Sequence, residues 1–99
     1  MPDVGIPIMR WGNWLVITKV LRDMLLAKLH DDLLTLDEVI EVVTAWLTRM
    51  EDVPYFIILM PSVLGSVLKS LGINWNAKWD HDRVELIANV IVAILKSFA

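Results

Sequence analysis

The chain has 99 residues, 57% of them hydrophobic and 21% charged, with nine Lys and Arg against twelve Asp and Glu for a net charge of −3. That length makes one domain and leaves no room for a two-domain enzyme. Cations scattered singly from Arg10 to Lys96 argue against nucleic-acid binding, which needs a basic patch to neutralise phosphates, and the absence of cysteine removes disulfides, thiolate metal sites and cysteine nucleophiles together.

Residues 1–12 hold Pro2, Gly5, Pro7 and Gly12 around Ile6, Ile8, Met9 and Trp11, a spacing hostile to helix that predicts an extended apolar arm docked on something else. The opening residues lack both a basic stretch and a long apolar one, so no signal peptide is expected, and a cytoplasmic setting or a place within a larger assembly follows. Residues 13–99 read as a single helical domain. Over 13–30 the polar positions Thr18, Lys19, Arg22, Asp23 and His30 share one helical side, which predicts a first helix ending at His30-Asp31-Asp32, where carboxylates oppose the negative end of the dipole.

Thr35-Leu36-Asp37-Glu38 is a capping box opening a second helix over 36–51, with Leu36, Ile40, Val43, Leu47 and Met50 repeating at alternating four and three. Pro54 ends that helix and opens sixteen consecutive uncharged residues, 53–68. Ser62, Ser66 and Lys69 make a thin polar stripe along them, so a third helix is expected over 54–71, kinked or split at Pro61 and closed by Gly72. Asn74, Trp75, Asn76 and Trp79 mark a loop. A fourth helix is expected over 81–98, with Asp82 and Glu85 as a second capping box. Its polar stripe is narrow, and a helix apolar nearly all round belongs at the centre of the molecule, beside the third. The fold class is therefore all-α, a compact four-helix bundle-like domain with an extended N-terminal arm.

Three groups of residues could carry chemistry. In an up-down bundle the end of the first helix and the starts of the second and fourth lie at one pole, which gathers His30, Asp31, Asp80, His81 and Asp82. Imidazole and carboxylate suit a divalent cation such as Zn²⁺ or Mn²⁺, so a metal-binding or metal-dependent role is one alternative, although Asp at a helix N-terminus is also what capping requires. Ser66 and Lys69 have the Ser-x-x-Lys spacing of acyl enzymes, but the accompanying elements are absent, and the pair is read as the polar stripe of the third helix. Of the five tryptophans, Trp46 belongs to the core of the second helix, whereas Trp11, Trp14, Trp75 and Trp79 sit in the arm, at a helix start and in a loop. Together with Ile6 and Ile8 they are the candidate interface residues, the competing reading being that the rings close the ends of the core.

A mean hydropathy of +0.59 is high for a domain so small, since one of this size hides only about 60% of the surface its unfolded chain exposes. The excess is expected to be buried against other subunits. The expected function is that of a non-enzymatic, oligomeric structural or interaction protein whose partner is itself or another protein, with no cofactor. A membrane-associated, pore-forming or holin-like protein is the other alternative, weakened because 53–68 and Leu86–Leu95 fall short of the ~20 apolar residues a spanning helix needs.

Overall fold

The computed structural model describes residues 9–98, which form five helices: α1 (Trp14–Lys28), α2 (Leu36–Thr48), α3 (Tyr55–Ile58), α4 (Pro61–Ser70) and α5 (His81–Ser97). Two isolated bridges are the only β pairing among them. The all-α, bundle-like expectation holds. The third predicted segment is two helices, because Pro61 has no N–H to extend a helix beyond its first turn; it stands instead at the first position of α4, with Met60 as N-cap. Gly72 follows the α4 C-cap with φ of +71°, the left-handed conformation that closes a helix cheaply only with glycine.

The arrangement of the layers differs from expectation. α1 packs on both α5 and α2, and α2 packs on α1, α4 and α3, so the spatial order is α5–α1–α2–α4 and the first two helices are the centre. Trp46 explains this. Its ring is fully buried, and its Nε1 donates to the Ile17 carbonyl of α1 at 2.9 Å, so a large apolar wedge and one directional bond join α2 to α1. α5 buries Val84, Ile87, Ala88, Ile91, Val92 and Leu95, a single stripe at helical spacing, and needs no second buried face. Leu86 is left exposed. The molecule measures 39 × 31 × 19 Å, thick enough for two layers of helices about 10 Å across.

The capping box at α2 is formed. Thr35 Oγ1 accepts from the Glu38 N–H at 3.2 Å, and the Glu38 carboxylate accepts from the Thr35 N–H at 2.9 Å. The Thr35 N–H bond is the main reason the Glu38 pKa lies below its ordinary value. Partial desolvation opposes it, while the Thr35 side chain and the Lys28 and His30 charges assist. A carboxyl whose pKa is depressed on folding adds stability above its unfolded pKa and loses it as pH falls through the folded one. Glu38→Gln is therefore expected to flatten the acid side of a melting-temperature-against-pH curve and to converge with wild type at the acid end. Parallel curves throughout would contradict the assignment.

Two ends differ from the sequence reading. α1 stops at Lys28, and the chain reverses through a tight turn in which His30 and Leu33 exchange backbone bonds of 3.0 and 2.9 Å. Asp31 and Asp32 occupy its centre with φ of 54° and 60°, the mirror-image geometry usual in two-residue hairpins, which Asp tolerates better than most residues. At α5 the cap is Asp80, not Asp82. The Asp80 carboxylate accepts from the Arg83 N–H at 2.8 Å, and the preceding Trp79 N–H is fixed on the Asp32 carbonyl at 2.7 Å, which sets where the helix starts.

Candidate interaction surface

The sequence-derived polar pole is only partly assembled. The Trp79–Asp32 bond does place the α1–α2 turn against the start of α5. However, the one group of potential ligands among the described residues is His81, Asp82 and Glu85, with ligand atoms within 4.8 Å of one another and all three side chains exposed. His30 and Asp31 stand in the turn and do not join it, and the Asp80 carboxylate is engaged as a cap. His81 Nδ1 lies 3.7 Å from the Glu85 carboxylate one turn along and 4.0 Å from Asp82. Asp82 stands on the first turn of α5, where the positive end of the helix attracts a carboxylate, and Glu85 lies on the next turn. Ser66 and Lys69 are both exposed on α4, and no hydrogen bond joins them.

Of the expected interface residues, Ile6 and Ile8 lie outside the described residues. Trp79 is a core residue, 2% exposed. Trp75 lies half-buried beside it, ring centroids 5.4 Å apart, and the Arg83 guanidinium covers the Trp79 ring at 3.8 Å. Among the described residues the Trp79 indole N–H has no acceptor. Trp11 and Trp14 meet edge to face at 4.9 Å and are half-buried against the core edge. The described end of the arm docks on its own chain. Glu51 N–H donates to the Met9 carbonyl and Trp11 N–H to the Glu51 carbonyl, both at 2.8 Å, while Arg10 pairs with Glu51 and Asp52 at 3.0 and 3.4 Å. Trp79 thus belongs to the core, and Trp11, Trp14 and Trp75 pack half-buried against it. They were conspicuous for their area, and large apolar area is also what folding buries first.

The exposed apolar surface lies elsewhere. Along the uncharged run, Ile57, Leu64 and Leu68 are buried, whereas Tyr55 is 76% exposed, Leu59 59%, Phe56 48% and Val63 46%. Tyr55 and Phe56 stand on α3, Leu59 is its C-cap, and Val63 lies in the first turn of α4. The signal was present in the sequence as sixteen positions without a charge. A water-facing helix side normally carries Lys or Glu, and within the uncharged run the exposed polar residues are only Ser62 and Ser66, Lys69 following in the last turn of α4. Two concave features accompany it. Exposed Leu71 and Leu86 flank a pocket of about 180 Å³ floored by Trp79 and Ile87, and a larger groove of about 470 Å³ runs between α1 and α5.

No helix among the described residues is long and apolar enough to cross a membrane. α3 and α4 together cover only part of the 53–68 run, with a break before Pro61. Comparison with known proteins finds no matching family model, no matching curated protein and no matching solved structure.

Proposed function

We propose that this chain is an assembly component, acting by binding and not by catalysis, that associates with a second copy of itself through the outer side of α3 and α4. The observation that carries the reading is the cluster of Tyr55, Phe56, Leu59 and Val63, exposed together with no charge among them. Each offers on the order of 100 Å² of apolar surface, so the cluster reaches the few hundred Å² that a monomer seldom leaves contiguous and exposed. An uncharged face is also the one on which two copies of a chain of net charge −3 can meet without placing like charges together. The patch is smaller than the roughly 800 Å² that each partner of a standard interface contributes, so a concentration-dependent dimer is expected in place of an obligate one.

Leu59→Glu tests it. The residue is the C-cap of α3 and 59% exposed, so the fold tolerates the change and helical circular dichroism stays at the wild-type level. In a symmetric pair the carboxylate enters the apolar contact from both sides, and sedimentation velocity is expected to show only the single-copy species at concentrations where wild type is mostly paired. A variant that still pairs as wild type does would remove this face from the interface.

A further inference from the structure

A second surface, independent of the α3–α4 face, has a different chemistry. Trp14 at the start of α1 lies beside Lys96 at the end of α5, and Arg22 shares the groove with Glu85, so α1 and α5 run antiparallel with the 470 Å³ groove between them. Trp14, Val92 and Ala93 give it an apolar lining, with Thr18 and Asn89 as neutral polar members. On its rim Leu15 is 84% exposed, the most exposed large apolar side chain among the described residues, and no intramolecular contact accounts for it. Three of the chain's nine cations line the groove, Lys19, Arg22 and Lys96, against one carboxylate, Glu85. Arg22 is shared with Asp23 at 3.0 Å, and Glu85 faces His81. Lys96 Nζ sits 4.8 Å from the Trp14 ring centroid. Lys19 has no ion-pair partner among the described residues.

From this we infer that the α1–α5 groove is a docking site for an acidic amphipathic helix of another protein. A trough between two antiparallel helices accepts a third helix along its length, read through apolar anchors at i, i+3, i+4 and i+7. Here those anchors meet Leu15, Val92 and Ala93. Flanking Glu or Asp on the incoming helix meets Lys19 and Lys96, and a local excess of positive charge on an otherwise acidic protein selects for that sign and against a basic helix.

The test uses a fluorescein-labelled helical peptide of about 18 residues with Leu at that anchor spacing and Glu on both flanks. Fluorescence anisotropy is expected to rise to saturation with the full chain. The affinity should weaken with added salt and fall at least about tenfold in Lys19→Glu/Lys96→Glu, both exposed positions whose reversal leaves circular dichroism unchanged. Leu15→Asn should weaken it as well. The Leu59→Glu variant, by contrast, should bind the peptide as wild type does, which separates this site from the self-association face. The inference is overturned if the peptide does not bind, if a Lys-for-Glu peptide binds equally, or if the double reversal leaves affinity unchanged. It is equally overturned if the reversal lowers the native mass of the free protein, which would make a second copy the occupant, or if only vesicles of anionic lipid respond.

Discussion

Trp46→Ala is expected to remove about 3–5 kcal/mol of stability, the usual cost of emptying a buried aromatic site, out of the roughly 5–15 kcal/mol a domain of this size has. The side chain is fully buried at the α1–α2 seam and bonds the Ile17 carbonyl at 2.9 Å, and the helices on both sides of that seam, with Ile17, Leu21, Val43 and Leu47 buried, cannot readily collapse into a void. The melting temperature should fall by about 4–8 °C for each kcal/mol lost. Trp46→Phe keeps most of the apolar volume and gives up the bond, so it should cost only about 1–2 kcal/mol. Urea denaturation followed at 222 nm gives both values. A loss below about 1 kcal/mol for the alanine variant would mean that α1 and α2 are not the centre of the molecule.

Arg83→Ala should have the next largest effect, about 2 kcal/mol, through a region with little regular structure. The guanidinium donates to the carbonyls of Asn74 at 2.7 Å, Ala77 at 3.0 Å and Lys78 at 3.2 Å while lying on the Trp79 ring. One side chain therefore fixes the chain between α4 and α5 and covers a buried indole. Hydrogen bonds from a charged donor are stronger than neutral ones, and the partial exposure of Arg83 keeps the sum toward the low end. Lysine should not rescue it, because an ammonium cannot span three carbonyls set out for a planar fork. Besides a lower urea midpoint, faster amide exchange is expected across residues 74–79. Wild-type stability and exchange in Arg83→Ala would show that the loop is held by other contacts.

What could be read from the sequence was local chemistry. The Thr35 capping box, the break at Pro61 and the Gly72 closure each depend on a few adjacent residues, and all three are formed. The end of α1 was misplaced because Asp31 and Asp32 take left-handed backbone angles that composition usually signals with Gly or Asn. The α5 cap was misplaced because Asp80 and Asp82 are equivalent as residues and differ only through the Trp79–Asp32 backbone bond, a contact between segments 47 residues apart in the chain. Helix order was illegible for the same reason. α5 is the more continuously apolar sequence, yet centrality belongs to whichever pair interlocks, and that was decided by Trp46 reaching Ile17. Of the interface candidates, Trp79 is buried while Trp11, Trp14 and Trp75 stay half-buried at the core edge, because tryptophan serves cores and contacts alike. The uncharged run was read for its fold and as a short membrane candidate, and which of its side chains stay exposed depends on how α3 and α4 pack on α2.

The central claim is that the apolar face of α3 and α4 is covered by a second copy. Native mass of the wild-type chain, measured by light scattering in detergent-free buffer across a broad concentration series, addresses it most directly. The weight-average mass is expected to climb from that of one 11.3 kDa chain to twice that value and to level off there. A mass that stays at one chain to the highest concentration would contradict the account.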